Sequence, residues 1–180
     1  MSIERLLITG AGGFLGQAIV RELASKDSAL GASLGELRLL DLQPPPSDGH
    51  PAATALAGDV QDPEAMRRAC SGVDAVIHAA SLVDWGEATA QRLDDVNVAG
   101  TENVIRACRD QGVRTVVYTS CMDVICGTRP VVDADETWPY PQSFTNDYAR
   151  TKALAEQRVL AAHGAPCRAP DGTDPDSALL

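Results

Sequence analysis

Thr9-Gly10-Ala11-Gly12-Gly13-Phe14-Leu15-Gly16 joins two stretches of different periodicity. Before it, residues 5–9 (Arg-Leu-Leu-Ile-Thr) form a short apolar run. After it, over residues 14–25, Phe14, Leu15, Ala18, Ile19, Leu23 and Ala24 recur at helical spacing. The order is strand, glycine turn, helix. Gly10 permits a tight turn, Gly13 lets the backbone approach a diphosphate, and Gly16 lets the helix pack against the sheet. The helix start, with Phe14 and Leu15 in its first turn, offers free N–H groups and the positive end of its dipole to an anion. A glycine cluster alone is weak, and its position between strand and helix makes it specific.

The same alternation continues downstream. Residues 36–42 (Glu-Leu-Arg-Leu-Leu-Asp-Leu) read as a second strand, after which Pro44, Pro45, Pro46 and Gly49 impose a loop. Residues 53–57 form a third strand ending at Gly58-Asp59, and Asp62 caps a helix with Pro63 at its first position. Residues 74–80 (Asp-Ala-Val-Ile-His-Ala-Ala) are apolar enough for a fourth strand covered on both faces. The spacing of Leu93, Val96, Val104, Ile105 and Cys108 predicts a long helix over 90–111, ended by Gly112. Residues 114–120 form a fifth strand, and a last helix over 146–162 carries Tyr148, Lys152, Leu154 and Leu160. Five alternations predict an α/β protein with a doubly wound parallel sheet and right-handed crossovers, the Rossmann fold. Residues 1–163 are expected to form this domain. Residues 164–180, with Gly164, Pro166, Pro170, Gly172 and Pro175, read as a loop-like tail or the start of a missing C-terminal portion.

With 180 residues the chain suffices for one domain with a substantial core. Its formal net charge of −10, with scattered Lys and Arg, argues against nucleic acid and anionic membranes as partners. A single phosphate-bearing cofactor held by backbone N–H groups remains compatible with that charge. No run approaches a transmembrane span, and the first strand leaves no room for a signal peptide, so the default location is cytoplasmic. Five cysteines (Cys70, Cys108, Cys121, Cys126, Cys167) without a C-x-x-C pair predict neither a disulfide framework nor a metal site.

Asp41 closes the second strand 25 residues after Gly16. There a carboxylate accepts hydrogen bonds from both hydroxyls of an adenosine ribose and repels a 2′-phosphate, which favours NAD over NADP. Arg38 lies within the strand, and no Lys or Arg follows Asp41 in the adjoining loop. The alternative is that Asp41 only caps the strand in water. Asp59 is placed to bond the adenine amino group with Val60 packing on the ring, or else is a loop aspartate near the next cap. Ala79 and Ala80, followed by Ser81, are small enough for a backbone passing close to a cofactor. His78, inside an apolar strand, reads as a core histidine rather than a catalytic base.

Tyr148 and Lys152 lie four residues apart on one helix face. An unperturbed phenol titrates near pH ~10. A neighbouring ammonium lowers that value, so Tyr148 can take a proton from a substrate hydroxyl as hydride leaves. Lys152 would also hydrogen-bond the nicotinamide ribose.

Thr-Gly-x-x-Gly-x-x-Gly at 9–16, Asp41, Asp59-Val60, Asn97, Tyr118-Thr119-Ser120 and Tyr148-x-x-x-Lys152 together resemble the extended short-chain dehydrogenase/reductase (NAD-dependent epimerase/dehydratase) superfamily. Four stretches are most similar to its 3β-hydroxysteroid dehydrogenase/isomerase group: Gly13 to Gly16, Val76 to Ala80, Val96 to Val104, and Val117 to Val124. The resemblance covers residues 3 to about 163. It implies NAD-dependent oxidation of a secondary alcohol, the 3β-hydroxyl of a steroid, with ketosteroid isomerase activity as a further option. A nucleotide-sugar epimerase or dehydratase, and a truncated non-catalytic NAD-binding module, are the competing readings. The partner is a small-molecule alcohol or ketone, and a homodimer is left open.

Two departures from the family pattern stand out. The family has two hydroxyl residues after the fifth strand, the second bonding the substrate oxygen, where this chain has Ser120 and then Cys121. A thiol is a weak donor. Because the segment from Cys121 to Gly127 is one residue longer than usual, a bulge can re-aim these side chains, and Ser120 joins Tyr148 and Lys152 as the expected catalytic set. The second departure is length: the family continues into a substrate-binding lobe, and the chain is expected to hold the cofactor half without it.

Overall fold

The computed structural model describes residues 2–47, 49–84, 86–167 and 178–179. Its strands are β1 (Arg5–Thr9), β2 (Glu36–Asp41), β3 (Ala53–Ala57), β4 (Ala75–His78) and β5 (Thr115–Tyr118). All pair in parallel, in the order β3-β2-β1-β4-β5. The helices are α1 (Phe14–Leu23), α2 (Ala29–Ser33), α3 (Pro63–Cys70), α4 (Ala90–Leu93), α5 (Gly100–Gln111) and α6 (Asp147–Ala162). The doubly wound parallel sheet is present.

Alternation of side chains along each strand explains why the sheet carries a core on both faces. Leu7, Leu40 and Val76 join Met66, Val104 and Cys108 on one side. Leu6, Ile8, Leu37 and Leu39 join Val20, Leu23 and Leu34 on the other. Asp74 clips the entry to β1, its Oδ2 accepting the N–H groups of Glu4 and Arg5 at 3.0 and 2.8 Å.

Several local expectations need correction. Phe14 is 92% exposed and Leu15 is also exposed, while α1 buries Gly16, Val20 and Leu23. The first turn of α1 lies at the end of the sheet and does not pack on its face. Gly16 serves the turn rather than the sheet: a Cβ there would collide with the Gly10 carbonyl and lie 2.7 Å from Ala11 Cα. α2 carries no apolar periodicity long enough to announce it, being five residues capped by Ser28, whose Oγ accepts the Gly31 N–H at 3.1 Å. On α6 the buried residues are Ala149, Thr151, Lys152, Ala153, Ala155 and Ala162, whereas Leu160 is exposed.

The long helix over 90–111 is interrupted by a π-helical stretch at Asp94–Ala99, between α4 and α5. Such wide turns recur at functional positions, and this one directs Asn97 into the interior, where it is 2% exposed. Gly112 ends α5 at φ 73°, the left-handed cap expected from sequence.

At the other end, Ala178 pairs with Pro166 in an antiparallel bridge, and Leu179 is buried with the α3–α5 core. The expectation for 164–180 falls largely on residues 168–177 and 180, which lie outside the described residues.

His78 is a core histidine. Its Nδ1 lies 2.7 Å from Thr9 Oγ1 and its Nε2 2.9 Å from Thr101 Oγ1, which links β1, β4 and α5. Burial, helped by the Lys152 charge, pushes its pKa down to about 3. An unfolded histidine protonates near pH ~6.5, so between these values the unfolded chain binds a proton that the folded chain refuses. Stability is therefore expected to fall as pH drops from 6.5 toward 3, by up to about 1.4 kcal/mol per pH unit. Denaturant unfolding at a series of pH values checks this; an undiminished slope in His78→Gln would assign the loss to other groups.

Candidate active site

The β1–α1 turn is held against the end of β4. Gly10 adopts φ +71°, and a Cβ there would sit 2.6 Å from the Ala80 N and Cα atoms. Only glycine fits this contact. Gly13 differs: its φ is −74°, and a Cβ would meet only the Gly10 carbonyl at 3.4 Å. Nothing in the protein itself demands glycine there, so its missing side chain leaves room for something outside the fold.

A groove of ≈ 640 Å³ runs along this edge of the sheet. Gly10, Gly13, Asp41, Asp59, Val60, Ala79 and Ala80 line it, as expected from sequence. Phe14, Leu15, Gly16, Tyr148 and Lys152 are not part of its wall. Ser81, the small residue that follows Ala80, lines it too, and so do Gly12 and Arg92, which were not anticipated as site residues. Gly12 donates its N–H to Asp41 Oδ2 at 2.8 Å, while Leu42 N–H bonds Oδ1 at 2.7 Å. These bonds orient the carboxylate and leave it acceptor capacity. The second glycine of the turn was a visible signal for this role; Arg92 had none, since its bond to Gln61 Oε1 (3.0 Å) joins distant parts of the chain.

Arg38 cannot serve a 2′-phosphate. Its Nε holds Glu36 Oε1 at 2.7 Å and its Nη1 bonds the carbonyls of Ala69 and Ser71. Asp59 accepts both the backbone and side-chain N–H groups of Gln61. Val60 is mostly in the core, packed where a Cβ on Gly100 would touch it.

Tyr148 sits in the first turn of α6, which Asn146 caps by accepting the Ala149 N–H at 2.7 Å. Arg150 ties this turn to the π-helical stretch, donating to Asp94 through both terminal nitrogens at 2.9 and 2.8 Å. Lys152 is 3% exposed. Its Nζ donates to the Thr119 carbonyl at 2.7 Å and lies 4.3 Å from the centre of the Tyr118 ring. Burial lowers its pKa to about 8, with Cys121 and Glu156 opposing that shift.

Here the sequence-based expectation for Tyr148 needs correction. The phenol is held above its ordinary value, by burial first and then by Cys121 and Asp123, with Ser81 pulling the other way. The ammonium that was expected to lower it is committed to Thr119 and Tyr118. Ser120 is exposed, whereas Cys121 is half-buried. Among the described residues no helix is long and apolar enough to cross a membrane.

The family model described as 3-beta hydroxysteroid dehydrogenase/isomerase matches residues 7–173. A 3-beta-hydroxysteroid dehydrogenase of Mycolicibacterium neoaurum is 36% identical over 90% of the chain and 44% of its own length. A 2-alkyl-3-oxoalkanoate reductase of Stenotrophomonas maltophilia is 41% identical over 89% of the chain and 47% of its own. The chain thus spans under half the length of these curated relatives. The dTDP-glucose 4,6-dehydratase DesIV of Streptomyces venezuelae, solved with NAD and TYD bound, is 30% identical with a TM-score of 0.76, over 89% of this chain and 52% of that one.

The buried lysine has a measurable consequence. Below pH 8 the folded chain carries Lys152 charged at full cost, and above the unfolded value near ~10.5 both states are neutral. Wild type is therefore expected to gain stability relative to Lys152→Met as pH rises from 8 to 10.5, on the order of 3 kcal/mol in all. Chemical denaturation of both proteins across that range measures it, and a constant difference would show that the amine is not buried with its charge.

Proposed function

The chain belongs to the 3-beta hydroxysteroid dehydrogenase/isomerase family, and from that premise we propose that it binds NAD and serves the oxidation of a secondary alcohol, the 3β-hydroxyl of a steroid. One observation carries the reading. Ser81 lines the groove that begins at the glycine turn and bonds Asn97 at 3.1 Å, and Asn97 holds Thr151, which lies between Tyr148 and Lys152 on α6, so one network joins the cofactor groove to the helix that carries the phenol.

In this reading residues 1–163 are the NAD-binding domain, and 164–180 are a tail or the start of a C-terminal portion. The N–H groups at the start of α1, from Gly13 through Phe14, Leu15 and Gly16, hold the diphosphate beside Gly10. Asp41 accepts the hydroxyls of the adenosine ribose, and its charge repels a 2′-phosphate. Asp59 and Val60 face the adenine, and the small Ala79 and Ala80 let the groove pass close to the backbone. Bound NAD supplies the hydride acceptor. Tyr148 exchanges a proton with the substrate oxygen at its phenol, Lys152 donates to the nicotinamide ribose, and Ser120, if a ligand draws it in from its exposed position, contacts the substrate. A phenol held protonated at neutral pH equally suits the reverse step, donation to a ketone oxygen. The Stenotrophomonas relative, named as a reductase of an oxoalkanoate, makes that direction worth assaying.

Calorimetric titration is expected to show NAD binding and at least about tenfold weaker NADP binding, the loss of roughly 1.4 kcal/mol from an unpaired or repelled group. Gly13→Ala should leave the melting temperature nearly unchanged, because its Cβ meets only one carbonyl at 3.4 Å, while weakening NAD about tenfold or more. The absence of heat with either nucleotide and folded protein would overturn the reading. Where turnover is detected, Tyr148→Phe should lower it about 10²–10⁴-fold, and turnover with UDP-sugars alone would replace the steroid as substrate.

A further inference from the structure

Asp59 and Arg92 line the same groove with opposite charge, and Gln61 stands between them. The Gln61 amide has one orientation that suits both ends. A guanidinium only donates, so Oε1 accepts from Arg92 Nη1 at 3.0 Å; a carboxylate only accepts, so Nε2 donates to Asp59 Oδ1 and Oδ2 at 3.1 and 2.9 Å. The Gln61 backbone N–H adds a bond to Asp59 Oδ1 at 2.9 Å. Oδ1 is then engaged twice and Oδ2 once. A carboxylate has about four acceptor positions, which leaves one, on Oδ2. Neighbouring helices hold both ends of this clamp. Asn103 Nδ2, on α5, donates to the carbonyls of Val60 and Gln61 at 3.1 Å each, fixing the backbone there. Thr89 Oγ1 accepts the Arg92 N–H at 3.2 Å where α4 starts, and the next residue, Leu93, is fully buried. The Arg92 side chain is itself exposed, so its bond to Gln61 serves no core packing.

We propose that Gln61 and Arg92 are positioning residues for Asp59, pinning its carboxylate so that one acceptor is left for the 6-amino group of a purine, and so make the groove select a 6-amino dinucleotide over its 6-oxo counterpart. This inference rests on the NAD-binding reading above and deepens it at the adenine end. A 6-oxo base sets an oxygen where adenine has its donor, and two facing acceptors repel and stay unpaired. That base also carries an N–H at the neighbouring ring position. A carboxylate free to turn would take that hydrogen instead and would tell the two bases apart poorly. Held at both oxygens by Gln61, Asp59 lacks that freedom. Arg92 acts through the amide: drawing on Oε1, it polarises the Nε2–H groups toward Asp59 and keeps the side chain from rotating away.

Calorimetric titration with NAD and with nicotinamide hypoxanthine dinucleotide, which differ only in the purine, reads the selection directly. Wild type is expected to bind NAD about tenfold or more tightly than the 6-oxo analogue. Gln61→Ala should cut that ratio to about threefold or less, weakening NAD while leaving the analogue within about twofold. Arg92→Ala should lower the ratio in the same direction by a smaller factor, and Arg92→Lys, which keeps a donor for Oε1, should restore most of it. In Asp59→Ala the preference should vanish, and adding Gln61→Ala should change nothing further. A role in stability alone would weaken both dinucleotides alike and leave the ratio where it was. Circular dichroism confirms that each variant is folded; if Gln61→Ala is not, the exposed Arg92→Ala makes the same test. Equal binding of the two dinucleotides by wild type, or an unmoved ratio in the folded variants, would overturn the inference and leave the proposed function standing. Binding of neither to folded protein would overturn both.

Discussion

The contact between Gly10 and the backbone of Ala80 sets the geometry of the whole sheet edge. Because no side chain intervenes, the ends of β1 and β4 and the turn into α1 share one floor, from which the groove opens. Directly beneath, Thr9 and Thr101 hold His78 from both sides and brace the same two strands against α5. The imidazole is neutral there, because burial and a nearby buried ammonium both disfavour its charged form. A polar group inside an apolar sheet is tolerated only when both ring nitrogens are partnered, and here they are.

A second polar network occupies the other side of the site. The π-helical stretch turns Asn97 inward, and its amide reaches Ser81, Leu82 and Thr151 at once. Thr151 lies between Tyr148 and Lys152 on α6, so the asparagine connects the helix bearing those residues to the strand end that lines the groove. The Arg150–Asp94 pair repeats the connection at the surface. An α-helix of regular pitch would place position 97 differently, and the wide turn is the local departure that makes the network close.

Much of the site was legible from residue type and spacing. The glycine turn, Asp41 at the strand end, the Asp62–Pro63 cap and the Gly112 stop depend on local backbone chemistry, and neighbours in sequence carry the signal. What was illegible depends on partners far along the chain. Phe14 and Leu15 have the spacing of a buried face, yet α1 begins where the sheet has already ended. Lys152 stands at the right interval to lower the Tyr148 pKa, but its ammonium instead meets Thr119 and Tyr118, which a helix-face argument cannot show. The order Ser120-Cys121 likewise gives two candidates, and the fold leaves the hydroxyl exposed and half-buries the thiol.

The amino-acid order alone determined the alternation of strands and helices, the anion-binding turn and the acidic strand end, because each follows from short-range sterics and periodic burial. The tertiary structure alone decided where the Lys152 charge goes and how Asn97 joins Ser81 and Leu82 to Thr151. Those outcomes depend on atoms brought together across 15 to 54 residues of chain, and on burial, which shifts the balance between charged and neutral forms only after the core has closed.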